Sequence, residues 1–355
     1  MQFGIFVPAR VDMGPTMRRA ERAGFTHGWL YDSQMLFADV YSSLTVCLQH
    51  TDRLVMGPGV TNPASRIAPL TASCLATLNQ VAPGRVVLGI GTGNTTRRTM
   101  GFPPTRVDAM AEYIRVCQAL LRDDRTRYRE IEGEHEIGMI GGGDGFMRFD
   151  AHIPIIVSAF GPRTLTLAGE IGDGVMIGGQ PTEQSMAETK QHLRTGAARS
   201  GRDAGDLEIV LYTSMYVLEP GEDLGSQRLR DTLVPLTAPA IARYATRAAS
   251  LDDVPELFRD AVAAYRERHG ELRGASRYLD THDGYLWSAP GDVEPLVTAE
   301  MLRRSAVIGT ADQILARVRE WEALGVTQVG LRAGGGVDHV AEFSERFGDA
   351  VITRY

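Results

Sequence analysis

Short apolar runs recur along the chain, most of them followed by a stretch with helical spacing, and this alternation restricts the fold more than any other feature. Phe3–Val7 is apolar and ends at Pro8. Pro15 and Gly24 then bracket a helix, one at its first turn and one after its last. Trp29–Tyr31 reads as a second strand, a helix covers about Val40–His50, and Leu54-Val55-Met56 begins a third strand. Pro69–Leu78 is helical, and Arg85–Gly91 is a β-branched fourth strand. Val107, Met110, Ile114, Cys117 and Leu121 fall on one helical face. Ile153–Ala159 and Asp173–Ile177 read as strands five and six, each followed by a helix. Glu208–Leu218 reads as a long seventh strand and Val326–Arg332 as the eighth. Thr310-Ala311-Asp312-Gln313 has the capping-box pattern that opens a helix.

Eight strands, mostly separated by helices, fit an α/β chain folded as a (β/α)8 barrel. An open doubly wound sheet is the competing architecture. The runs are apolar on both faces, as parallel strands covered by helices are. No linker divides the chain. It reads as a single domain over residues 1–355, with a glycine-rich excursion at about 123–150 and a helical and loop insertion at about 219–308, whose helices fall near Ala238–Ala248 and Val254–His269.

Composition removes several functions. Of 37 basic residues, Lys190 is the one lysine, so the other 36 are arginine. A Walker-A loop needs Gly-Lys-Ser/Thr, and Schiff-base chemistry needs a buried lysine. The net charge of −7 argues against non-specific nucleic-acid binding. No apolar run approaches the ~20 residues of a membrane helix, and Met1–Phe6 has no basic segment before an apolar stretch, so no signal peptide is expected. Cys47, Cys74 and Cys117 are too scattered for a disulfide framework or a zinc knuckle. The eight histidines include no HxH or HExxH, so no metal is expected. The expected setting is the cytoplasm.

In a barrel, chemistry lies at the carboxyl ends of the strands. Here those ends are rich in glycine and small polar residues: Asp32-Ser33, Gly57–Pro63, Gly91–Thr95, Ser158–Arg163 and Ile177–Gly179. Gly89-Ile90-Gly91-Thr92-Gly93-Asn94 fails as a dinucleotide fingerprint, because Asn94 stands where the third glycine belongs. Ser158–Arg163 is either a phosphate site, with free N–H groups and Arg163, or an ordinary strand-to-helix turn. Asp32 either orients a ligand or caps the next helix. His282 lies in the insertion, at the substrate or in a surface loop.

Several segments together resemble the bacterial luciferase-like superfamily. They are Gly57-Pro58-Gly59-Val60-Thr61-Asn62-Pro63, then Arg66, Pro69 and Thr71-Ala72, and Gly84–Gly91. Ala159–Arg163, Leu167–Glu170, Asp173–Val175 and Ile308–Asp312 add to them. Within that superfamily they are most similar to the methylenetetrahydromethanopterin reductase branch, which uses the deazaflavin F420. The resemblance implies a (β/α)8 barrel and a non-proline cis peptide between Gly59 and Val60. It implies that Thr61, Thr92, Gly93 and Asn94 line the ring and polyol, and that Ser158, Gly161 and Arg163 hold the phosphate, with Gly178 and Gly179 close by. F420-dependent relatives commonly carry Asp-His after the second strand, whereas here it is Asp32-Ser33. The proton would then come from Ser33 with a water, from His282 or from Tyr31. The implied activity is hydride transfer between F420 and a small organic substrate. The alternatives are an FMN-dependent monooxygenase fed by a separate reductase, and a barrel that binds a flavin without turnover. A homodimer is expected, with Met35, Leu36, Phe37, Phe102, Phe146, Tyr285 and Trp287 as candidate pocket residues.

Overall fold

In a computed structural model, which describes residues 1–141, 144–270, 285–289 and 291–355, eight parallel strands form the expected barrel. Among the described residues the strands are β1 (Gln2–Pro8), β2 (His27–Tyr31), β3 (Val55–Pro58), β4 (Leu88–Ile90), β5 (Thr126–Glu130), β6 (Gly133–Ile137), β7 (Ile155–Ser158), β8 (Gly174–Gly178), β9 (Glu208–Thr213), β10 (Met215–Val217), β11 (Val307–Gly309) and β12 (Gln328–Arg332). The main sheet runs β3-β2-β1-β12-β9-β8-β7-β4. Parallel bridges from Met56 to Val86 and from Thr61 to Ile90 join β3 to β4 and close it.

Alternation along each strand separates two apolar layers. Phe6, Trp29, Tyr31, Ile156, Met176 and Val210 fill the interior. Ile5, Val7, Leu30, Leu88, Val157 and Leu211 face outward under the helices. Phe6 and Trp29 stack at 5.6 Å inside the barrel, and Trp29 donates its ring N–H to Gln328 Oε1 at 2.8 Å.

The closing seam is irregular. Five chain steps from Met56 to Thr61 face four from Val86 to Ile90, so β3 carries an extra residue, as in a bulge. The two backbones touch there. A Cβ on Gly57 would lie 1.8 Å from the Val87 carbonyl oxygen, and one on Gly89 would lie 2.3 Å from that of Pro58. Only glycine fits at either place.

Local signals account for most helices. Thr310 accepts the Gln313 N–H at 3.4 Å while Gln313 Oε1 accepts the Thr310 N–H at 2.9 Å, opening the helix Ala311–Ala323. The helix expected near Ala238 instead runs over Gln227–Arg247, with Pro235 and Pro239 inside it; proline's helix-breaking chemistry hid its first half. The expected seventh strand divides at Ser214. β9 stays in the barrel, and β10 leaves it to pair with β11. The Ser214 carbonyl accepts from Val307 at 2.9 Å. No glycine or proline marks this break in the sequence. The excursion forms the antiparallel hairpin β5–β6. No helix among the described residues is long and apolar enough to cross a membrane.

One carboxylate fixes the approach to β3. Glu21, buried at the end of the helix Gly14–Arg22, accepts the backbone N–H groups of Arg53 at 2.6 Å, Leu54 at 2.8 Å and Asp52 at 3.0 Å. Burial opposes its ionisation, but those three donors outweigh burial and hold the carboxyl below the usual range. The stabilisation is therefore complete above the unfolded carboxyl value and is lost as pH falls through the lower folded one. Glu21→Gln should cost about 1–3 kcal/mol at neutral pH, measured by urea unfolding. The gap to the parent should close below about pH 4; a gap that widens in acid would contradict this assignment.

Candidate functional site

The first residue after β2 is Asp32, and it is buried. Its Oδ2 accepts the Thr61 hydroxyl at 2.6 Å, and one Arg66 nitrogen reaches both of its oxygens at 3.2 and 3.0 Å. Arg66 also pairs with Asp39 and lies 4.8 Å over the Tyr41 ring. The Asp32 carbonyl accepts from the Thr96 hydroxyl at 2.8 Å. The carboxylate is thus compensated on both oxygens and acts as a fixed joint between β2, the end of β3 and the loop before the helix Ala68–Val81. Ser33 is buried beside it; its carbonyl takes the N–H groups of Leu36 and Phe37, and its hydroxyl makes no hydrogen bond among the described residues. His282 lies outside the described residues.

Across the barrel mouth, the Gly59–Val60 peptide is cis. Gly59 is pressed on the interior, where a Cβ would meet Trp29 Cβ at 2.7 Å and the Phe6 ring at 2.9 Å. Val60 is half-buried. A Cβ on Gly91 would lie 3.0 Å from Val60 Cγ2 and 3.4 Å from Ser158 Cβ. Residues from β3, β4 and β7 therefore meet in one small, largely apolar surface. Thr61 is wholly buried and its hydroxyl is committed to Asp32. The Thr92 carbonyl accepts from Thr105, and Gly93, at φ +75°, caps the short helix Asn94–Arg98 against Asn62. Asn94 is exposed and accepts from Arg98 Nε at 2.7 Å.

The next two strand ends lie open. Gly161 caps the helix Pro162–Ile171, and the Thr164 hydroxyl donates back to its carbonyl at 3.0 Å. No atom lies within 4 Å of a Cβ placed on Gly161 or on Gly179, the latter at φ +97°. Gly178 packs under the exposed Phe160 ring. Arg163 projects from the first helical turn, exposed, with no ion pair among the described residues. Helix N–H groups and a free cation together suit an anion.

Two contributors, Tyr212 and Arg332, and the role of a third are absent from the sequence reading of the site: Arg66, named there only for the resemblance, is the partner of Asp32. Tyr212 approaches the Tyr31 hydroxyl at 3.3 Å, and Arg332 lies over the Tyr212 ring at 5.5 Å. Burial, reinforced by Tyr212, pushes the Tyr31 phenol well above its ordinary value, so it stays protonated. Counting every second residue inward from Gln328, or from Val210, would have found Arg332 and Tyr212.

The described part of the insertion spans the mouth. Tyr285 lies 3.2 Å from the Thr95 hydroxyl, the Trp287 carbonyl accepts from Gly335 at 2.8 Å, and Arg10 lies 5.3 Å over the Trp287 ring. Among the other candidate pocket residues, Phe37 packs on Tyr31 at 5.9 Å, Phe102 lies under Arg97 at the surface, and Phe146 sits against Gly141. A separate cavity of about 530 Å³ lies against the β5–β6 hairpin, lined by Leu120, Tyr128, His135 and Met139 among others; it shares no residue with the strand ends.

Comparison with known proteins gives this arrangement a context. The chain is 32% identical over 336 residues to the 5,10-methylenetetrahydromethanopterin reductase of Archaeoglobus fulgidus, covering 93% of this chain and 92% of that one. It is 29% identical over 245 residues to the F420-dependent glucose-6-phosphate dehydrogenase of Beutenbergia cavernae, covering 67% and 69%. In fold it is similar to the solved structure of the coenzyme F420 dependent tetrahydromethanopterin reductase of Methanopyrus kandleri, with a TM-score of 0.70 at 24% identity over 100% of this chain and 99% of that one. The sequence model of the luciferase-like monooxygenases matches residues 1–328, and the chain belongs to that family.

Proposed function

We propose that this chain is an oxidoreductase that binds F420 at the barrel mouth and exchanges hydride between it and a small organic substrate. The observation that carries this reading is the surface formed by Val60, Gly91 and Ser158 beside the open glycines 161 and 179 and the free Arg163. A flat ring followed by an anionic tail matches that sequence of surfaces: apolar and small first, then open backbone, then a helix N-terminus with a cation. The names of the Archaeoglobus and Beutenbergia relatives support F420 as that ligand.

In this reading Val60 backs the ring, while Thr92, Gly93 and Asn94 border the ring and polyol. Ser158, Gly161 and Arg163 hold the phosphate, with Gly178 and Gly179 beside it. Bound F420 supplies the carbon that gives or takes hydride. The chain orients the partners and excludes water. Asp32 serves as a positioning residue, holding Thr61 behind the cis peptide and Arg66 at the rim. Ser33 is the hydroxyl beside it that handles a proton, with Tyr31, held neutral, and His282 as the other groups the sequence points to.

Three measurements test this. Fluorescence titration should show F420 binding at least tenfold tighter than FMN, about 1.4 kcal/mol. The opposite preference would overturn the F420 reading in favour of a flavin monooxygenase. Arg163→Ala should weaken F420 binding by about three- to tenfold at low salt, with the loss shrinking as salt screens the exposed charge; an unchanged Kd would remove the tail from this helix. Asp32→Ala should lower unfolding stability by about 1–3 kcal/mol, because the Thr61 hydroxyl and one Arg66 nitrogen lose their buried acceptor while Asp39 keeps the other nitrogen. The double variant Asp32→Ala/Arg66→Met should recover part of that loss; strict additivity in this cycle would show the pair to be energetically idle.

A further inference from the structure

The mouth has two halves. Val60, Gly91, Ser158 and Gly179 follow from one continuous arc of the wall, β3-β4-β7-β8. The other arc, β9-β12-β1-β2, presents Tyr212, Arg332 and Tyr31. Arg332 ends β12, whose side chains alternate across the wall. Val329 and Leu331 pack outward. Gln328 meets Trp29 inside, and a Cβ on Gly330 would lie 2.3 Å from the Phe6 ring. Arg332 therefore rises into the mouth above Phe6.

Arg332 is half-buried. Its Nε donates to Ser214 Oγ at 2.8 Å, and its guanidinium lies 5.5 Å from the Tyr212 ring centroid. Its two terminal nitrogens have no carboxylate partner among the described residues. Asp32, the buried acid of the mouth, is already paired with Arg66. A half-buried guanidinium without a counter-charge is costly to keep, and one arriving with a ligand removes that cost.

We infer that Arg332, with the Tyr212 and Tyr31 hydroxyls beside it, anchors a carboxylate on the substrate. Nε is committed to Ser214 and the guanidinium also hydrogen-bonds the Tyr212 hydroxyl, so Arg332 and the two phenols together present the donors that match the two oxygens of a planar carboxylate. The Ser214 contact fixes the guanidinium. The inference rests on the proposed function only in placing the cofactor on the opposite arc; it specifies that the molecule exchanging hydride is an organic acid.

The test is calorimetry on the full chain saturated with F420, at fixed chloride, with benzoate, its neutral analogue benzamide, and inorganic phosphate as probes. Benzoate should bind at least tenfold tighter than benzamide, about 1.4 kcal/mol. Arg332→Gln should abolish that preference while leaving the F420 Kd within about threefold, and Arg332→Lys should keep part of it. The inference falls if wild type does not discriminate benzoate from benzamide, or if folded Arg332→Gln still does. It falls equally if phosphate shows the Arg332 dependence and benzoate does not. If Arg332→Gln fails to fold by circular dichroism, the wild-type comparison and Arg332→Lys decide. If F420 itself does not bind, the proposed function fails, and the benzoate and benzamide titrations on the unliganded chain still decide the role of Arg332.

Discussion

Two backbones meet without side chains between them where β3 crosses β4, and the site is built on that contact. The Gly57 and Gly89 positions leave no room for a Cβ, so the strands approach closely enough for the barrel to close around an extra residue. The displaced segment is the one that brings Val60 to the mouth. The interior supports it from below. The Trp29 and Phe6 rings stack, and Gly59 lies directly on them. Substituting either ring would therefore be felt both as lost packing and as a change in the floor of the site.

Charge is distributed around that seam with little waste. Glu21 gathers three backbone donors ahead of β3, and Asp32 gathers Thr61 and Arg66 behind it. Both acids bind groups that fix β3, one at each end. Neither is left as a free carboxylate in the mouth. Among the described residues at the strand ends, the exposed Arg163 on one arc and the half-buried Arg332 on the other are cations without a carboxylate partner. In the proposed reading, these two cations hold anionic groups on opposite sides of one ring.

The barrel was legible because its signals are short-range. β-branched runs, Pro15 and Gly24 around the first helix, and the Thr310–Gln313 box each set local structure that the whole chain then uses. The break at Ser214 carried no local signal, since it depends on Val307 nearly a hundred residues later. Proline inside Gln227–Arg247 concealed half a helix for the opposite reason: the local preference is real, and tertiary packing overrides it. At the site, strand-end glycines pointed to the mouth. Pairings did not show: nothing at Asp32 announces Arg66, 34 residues away. Tyr212 and Arg332 were readable by period two, but an arginine at a strand's end looks like a simple boundary until its inward phase is counted.

The central claim is spatial, and a crystal structure of the F420 complex tests it most directly. The expected result is a deazaflavin ring lying against Val60, Gly91 and Ser158, with its phosphate at Gly161 and Arg163. Density for the ring over Arg332 and Tyr212, or a tail leaving away from the helix at Pro162, would contradict the account.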